Sequence, residues 1–370
     1  MNANKPNSFS KKAVENGLDI FRVFDSLNYI ENMKLGIDAA KKAGGVVEAT
    51  VCYTGDVASP NEKKYTLEYY VNFVQELVDC GIHVLGIKDM AGLLKPHAAT
   101  LLIGAIRQRF PELPIHVHSH DTAGISAASM LACAQAGADV VDVAIDSMSG
   151  LTSQPSMGAV VSALEQTGLG AGIRHEDIQA LNLYWTQCRI LYQCFEANVR
   201  SSDSGVFDHE MPGGQYTNLM FQAQQLGLGT QWTEIKQKYI EANELCGNIV
   251  KVTPSSKVVG DLAQFMVSNQ LSKKDVEERA DKLDFPNSVI EFFQGYLGQP
   301  VGGFPEPLRT KIIRDKPRID GRPGIGMTPV DLKQVKKDLV QRFGKHITDA
   351  DVSSYCLYPK VFEEVSEMRS

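Results

Sequence analysis

The sequence predicts an α/β fold, a partial (β/α)8 barrel of about five β/α units followed by a mainly helical appendage, and three observations carry that reading. Short β-branched runs alternate with amphipathic stretches roughly every 25–35 residues, which implies parallel strands joined by crossover helices. Asp25, Lys88, Asp89, His118, His120 and Asp146 fall at or just past the carboxyl ends of successive runs. Barrel enzymes gather their chemistry on that face. No GxGxxG loop follows any strand, which argues against a doubly wound dinucleotide-binding sheet.

The strand-like runs are Asp19–Asp25, Gly45–Thr54, His83–Asp89, Pro114–Asp121 and Ala138–Ile145. Between them lie amphipathic stretches such as Tyr65–Cys80, Pro96–Arg109 and Ile125–Ala136, and one more helix is expected over Gln154–Glu165. Gly44-Gly45, Gly81 and Gly137 stand where a helix ends and a strand begins. A complete barrel of this kind needs eight units. From about His175 the pattern is helical, broken by turns at Met211–Gly214, Gln299-Pro300, Gly302–Pro307 and Asp320–Gly324. Residues 1–168 are therefore read as the partial barrel and 169–370 as the helical extension.

The formal charge of −7 over 370 residues comes from scattered acids, without the basic stripe of a nucleic-acid binder. No apolar run approaches the roughly 20 residues of a membrane helix. Met1–Ser10 is polar and reads neither as a secretory signal nor as a mitochondrial presequence. Seven cysteines, Cys52, Cys133 and Cys194 among them, lie mostly in apolar contexts without CxxC pairs. Buried thiols in a reducing compartment are expected.

His116-Val-His-Ser-His120 is the sharpest local signal. Alternate strand residues share a face, so His116, His118 and His120 point the same way, and imidazoles about 7 Å apart along a strand end can grip one metal ion. His116 lies deepest and is the expected non-ligand; the competing reading is a row of hydrogen-bonded interior histidines. Lys88 ends an apolar run, where burial lowers a lysine's pKa. Spacing leaves open a Schiff-base amine, a general base, a carbamate ligand, or a structural pair with Asp89 or Asp121. In Ile249–Lys257, Ser255 or Ser256 is expected to cap the following helix, which leaves Thr253 and Lys257 unexplained.

Six segments, in order, resemble the carboxyltransferase domain of the pyruvate carboxylase family: Phe21–Asn28, Gly86–Pro96, His116–Asp121, Pro212–Asn218, Ile249–Lys257 and Gly302–Pro307. The likeness runs from about residue 12 to the C-terminus. It implies carboxyl transfer from carboxybiotin to pyruvate, giving oxaloacetate for anaplerosis and gluconeogenesis. By the same resemblance Lys88, as a carbamate, would join His118 and His120 on a divalent ion, zinc or manganese. Thr253, catalytic together with Lys88 and in contact with substrate, would shuttle a proton between pyruvate and biotin. Gln215, Ser256 and Lys257 would line the biotin pocket.

The family's Asp-Ala-His-Gln-Ser-like and Arg-Gly-Ala-Asn-like segments have no counterpart here, nor do its ATP-using biotin carboxylase domain and its biotin carrier. The expectation is an N-terminally shortened, poorly stable and inactive chain whose intact relatives are homotetramers of the cytoplasm or mitochondrial matrix, with no membrane or nucleic-acid partner. Alternatives are an oxaloacetate decarboxylase alpha or transcarboxylase subunit, a biotin-independent metal-dependent lyase on the same barrel, or a non-catalytic partner of full-length subunits.

Overall fold

A computed structural model describes residues 4–369. Helix α1 (Asn4–Glu15) precedes five strands with their helices: β1 (Ile20–Phe24), α2 (Ile30–Lys42), β2 (Val46–Cys52), α3 (Leu67–Asp79), β3 (Val84–Lys88), α4 (Pro96–Arg109), β4 (Ile115–His118), α5 (Ser126–Gln135) and β5 (Val140–Val141). Then come α6 (Met157–Leu164), α7 (His175–Tyr192), α8 (Val206–His209), α9 (Gly213–Gln225), α10 (Trp232–Leu245), α11 (Ser255–Ser268), α12 (Lys273–Arg279), α13 (Asn287–Gln294), α14 (Leu308–Ile313), α15 (Leu332–Phe343), α16 (Asp349–Leu357) and α17 (Pro359–Arg369).

The strands form one sheet in the order β1-β2-β3-β4-β5, and every pair is parallel. Strand order equals chain order, without the reversal that a doubly wound sheet shows at its switch point. The sheet is an arc of a barrel. Its odd-numbered residues face the helices: Phe21, Val47, Val51, Leu85, Ile87, Ile115 and Val117 are buried with Ile37, Leu77 and Leu102 in one core. Its even-numbered residues face inward, where Ile20, Phe24, Val46 and Val140 remain exposed. Gly86 is required on that inner face, because a Cβ there would collide with the Thr50 hydroxyl and the Glu48 carboxylate.

A second core joins α9, α10, α11, α13 and α14 through Leu219, Tyr239, Leu262, Phe292 and Ile312. Leu27, just past β1, belongs to that core, whereas Val250 and Val252 belong to the core of the arc. The two cores thus exchange residues at the strand ends. A small cluster around Leu339, Ile347 and Val352 holds α15 and α16 together, and α1 packs on α16 with Ser8 hydrogen-bonded to Ser353. Among the described residues no helix is long and apolar enough to cross a membrane.

Some local expectations need correction. β5 is two residues long rather than eight; beyond it the chain leaves β4, and Ala144 bridges to Ser156 instead. Neither Ser255 nor Ser256 caps α11, whose N-cap is Pro254. The Ser255 hydroxyl accepts from the Val252 N–H and faces the carbonyls of Val250, Val252 and Ser26, tying this turn to the end of β1. No disulfide joins the seven cysteines, and Cys194 is exposed, since its turn lies at the outer end of α7.

Candidate active site

The ends of β3 and β4 bring together the first group of sequence-selected residues. Lys88 and His118 are ladder partners, so their side chains leave adjacent strands on the same face. Burial lowers the Lys88 pKa, and its Nζ lies 4.8 Å from the centre of the Phe24 ring. No ion pair reaches Lys88 among the described residues. Asp89 turns the other way and accepts from the backbone N–H groups of Gly92, Leu93 and Leu94 and from the Ser119 hydroxyl. Asp121 accepts from the Ser126 N–H. Pairing of Lys88 with Asp89 or Asp121, one of the alternatives the spacing left open, does not occur.

His118 and His120 place their Nε2 atoms 3.2 Å apart with the rings nearly perpendicular. Each Nδ1 is occupied from behind: that of His118 lies 2.8 Å from Asp142 Oδ2, and that of His120 lies 2.7 Å from the Thr152 carbonyl. A carboxylate and a carbonyl only accept, so each Nδ1 must donate, and a neutral ring then carries its lone pair on Nε2. Burial pushes the His120 imidazolium down to about 4, so this ring is neutral near pH 7. Two ring nitrogens at this distance are satisfied by a shared proton or by a cation bound to both. Two nitrogens bound to one tetrahedral zinc at about 2.0–2.1 Å sit roughly 3.3 Å apart, so the pair fits a divalent cation. Among the described residues no cluster of three or more His, Cys, Asp or Glu side chains is placed to hold a metal. Lys88 stands beside the pair.

The remaining selected residues come from the extension. The N-terminus of α9 lies against the imidazole pair: the Gly213 N–H donates to the Met90 carbonyl, and a Cβ on Gly213 would press on the His120 ring and the Thr152 carbonyl. Gln215, one turn in, approaches Gly260 on α11, so α9 and α11 meet there. On α11, Ser256 is buried and Lys257 is solvent-facing, paired with Asp261. Thr253 is exposed on the rim formed by the Ser255 turn, while its neighbours Val252 and Ser255 are buried.

Sequence reasoning missed Arg22, Glu48 and Asp142. Arg22 Nε lies 2.7 Å from Glu48, His116 lies 3.2 Å from Glu48 and 2.7 Å from Asp142, and Asp142 also holds His118. Burial alone would lower the His116 pKa, but the two carboxylates outweigh it and raise it to about 9. Burial alone would raise the Asp142 pKa, but the hydrogen bonds of His116 and His118 hold it well below the usual carboxylate range. The signal was available: all three missed residues have the even parity that already placed the histidines inward. The Thr152 carbonyl had no sequence signal.

A family model described as a conserved carboxylase domain matches residues 206–370, and one described as HMGL-like matches residues 11–183. The pyruvate carboxylase of Pichia angusta is 58% identical over 362 residues, covering 98% of this chain and 31% of that protein. The mitochondrial pyruvate carboxylase of Mus musculus is 56% identical over 361 residues, covering 97% of this chain and 31% of that protein. The chain thus spans about a third of the length of these curated relatives. Among solved structures, the carboxyl transferase domain of Rhizobium etli pyruvate carboxylase superposes with a TM-score of 0.96 at 43% identity, covering 99% of this chain and 61% of that one. The same domain with pyruvate and biocytin gives a TM-score of 0.96 at 44% identity, covering 98% and 61%.

Proposed function

Because the chain belongs to the pyruvate carboxylase family, in its carboxyltransferase region, we propose that it serves carboxyl transfer from carboxybiotin to pyruvate, giving oxaloacetate. The observation that carries this reading is the pair of Nε2 atoms of His118 and His120 facing each other beside Lys88. The match of 206–370 to the conserved carboxylase domain weighs against a biotin-independent lyase that would share only the barrel.

In this proposal His118, His120 and Lys88, the last as a carbamate, hold a divalent cation, zinc or manganese. The lowered pKa of Lys88 supports the carbamate, because only a neutral amine adds carbon dioxide. The cation would supply Lewis-acid stabilisation for charge growing on the pyruvate oxygen. The Thr253 hydroxyl takes a proton from the pyruvate methyl group and passes its own to the biotin nitrogen from which the carboxyl group has left. Such a relay needs hydrogen-bond reach to both partners and no shifted pKa. The enolate left by that proton transfer then bonds to the released carbon dioxide. Gln215, Ser256 and Lys257, at the meeting of α9 and α11, would orient the biotin ring. Residues 1–168 would form the barrel part and 169–370 the extension. Carboxybiotin would arrive from a carrier domain charged by an ATP-using biotin carboxylase domain in a homotetramer of the cytosol or mitochondrial matrix.

The test is Thr253→Ala in an enzyme that joins this chain to its biotin carboxylase and carrier domains. Oxaloacetate formation should fall by about 100-fold or more, while bicarbonate-dependent ATP cleavage at the other site persists. Oxaloacetate formation at the unsubstituted rate would overturn the reading.

A further inference from the structure

The inner face of the arc carries a closed ring of charges that the transfer reaction does not itself use. It draws on three strands and a strand end: Arg22 on β1, Glu48 on β2, His116 on β4 and Asp142 immediately after β5. Arg22 Nε lies 2.7 Å from Glu48 Oε1, Glu48 Oε2 lies 3.2 Å from His116 Nδ1, and His116 Nε2 lies 2.7 Å from Asp142 Oδ1. Asp142 Oδ2 closes the ring at 3.6 Å from Arg22 Nη1. That same Oδ2 is the atom 2.8 Å from His118 Nδ1. Asp142 is thus the one member shared between the ring and the imidazole pair.

A ring so built controls the direction of a lone pair. A free imidazole can carry its proton on either nitrogen, and its ring can turn over. An acceptor-only carboxylate behind Nδ1 selects the Nδ1–H form and one ring orientation, which leaves Nε2 as the ligating atom. A carboxylate that could itself rotate would not hold that choice. Asp142 cannot rotate freely, because its other oxygen is held by His116, which Glu48 holds in turn. His120 receives the same service from the Thr152 carbonyl, a backbone group that no side-chain substitution removes.

We infer that Asp142 is a positioning residue, fixing His118 in the tautomer and orientation that offer Nε2 to the cation, and that the Arg22–Glu48–His116 ring holds Asp142 in place. The inference rests on the cation site proposed above, but its first test does not need a cation. Nitrogen-15-labelled histidine in the full chain, stripped of metal, reports which nitrogen of His118 is protonated. The Nδ1–H form is expected, and Asp142→Ala should move His118 toward the Nε2–H form. The second test is Mn2+ affinity by titration calorimetry. Asp142→Ala should weaken it about 10–100-fold, with a smaller loss for Glu48→Gln, two links away.

An Nε2–H form in the unsubstituted chain would overturn the inference. So would an Asp142→Ala chain that keeps the tautomer and binds Mn2+ as before. If the unsubstituted chain bound no Mn2+, the cation reading would fail while the tautomer result still decided the role of Asp142. If Asp142→Ala failed to fold, the unsubstituted tautomer and the Mn2+ affinity of the isosteric Asp142→Asn would decide it, since an amide cannot accept from both His116 and His118.

Discussion

The two faces of the five-strand arc differ although they share the same backbone. Outward, Val47, Val51, Leu85, Ile87, Ile115 and Val117 are fully buried against helices. Inward, at alternate positions, stand Arg22, Glu48, Lys88, His116 and His118. A one-residue step along any strand therefore separates a residue that holds the fold from one that can hold a ligand. Hydrophobic burial needs only apolar area in a dry place, so the outward face tolerates variety in shape. The inward face depends on directed hydrogen bonds, in which each donor has a named acceptor.

Adjacent residues 87 and 88 break or sharpen this contrast most strongly. Ile87→Ala removes a side chain that is 1% exposed, and the expected loss is about 2–5 kcal/mol of unfolding free energy in urea. Lys88→Met keeps the apolar stem and removes only the amine, so stability should stay within about 1 kcal/mol. Mn2+ affinity should respond the opposite way, falling at least about tenfold for Lys88→Met and staying unchanged for a folded Ile87→Ala chain. Equal effects on both measurements would mean that residue parity does not divide stability from ligand binding.

Acid sharpens the comparison between the arc and the extension, since each contains one deeply buried imidazole. Burial pushes His120 in the arc and His209 in the extension down to about 4, from an ordinary 6.5. Below pH 6.5 the unfolded chain takes up protons that the folded rings refuse. Unfolding free energy should therefore fall as pH drops from 6.5 toward 4, by about 2 kcal/mol for each ring once residual solvent access is allowed for. His209→Asn keeps an acceptor for the Met211 N–H, which His209 Nδ1 now receives, and removes the titrating group. In the metal-free chain the acid slope should drop by about half, with the remainder due to His120. An unaltered slope would mean that His209 is protonated freely in the native state.

What was legible beforehand follows the same division. Helix α4 runs over Pro96–Arg109 as read, because a proline at the first position and an apolar stripe are local signals. The histidine pair was legible because strand parity is local too. Asp142, Glu48 and Arg22 carry no local signal beyond that parity, because a lone charge in a strand is ordinarily solvated and only a neighbour on another strand shows otherwise. The run Ala138–Ile145 overstates β5 in part because β4 ends at His118, so residues 143–145 have no strand to pair with there, which is a property of β4 and not of residues 138–145. The local sequence favours Ser255 or Ser256 as a helix cap because nothing within nine residues reveals the Ser26 carbonyl across the fold. Contacts such as that of Gly213 with His120 arise only when the extension docks on the arc, so no periodicity announces them.

The smallest expected effect tests whether the extension can be altered without disturbing the arc. Ser272 and Asp275 form a reciprocal capping box at the start of α12, each side chain accepting from the other's backbone N–H. The box is exposed, so water replaces part of what is lost, and Ser272→Ala should cost about 1 kcal/mol. Thr348 and Asp351 form the same box on α16, so Thr348→Ala should cost a similar amount. α12 packs on α10, whereas α16 packs on α1, so the two caps belong to different neighbourhoods. If the chain unfolds in a single step, both substitutions shift one urea midpoint by similar amounts and leave Mn2+ affinity unchanged. If the extension unfolds in parts, Ser272→Ala moves one transition and Thr348→Ala another. The arc would then be shown to keep its inward charges in register without help from the C-terminal helices.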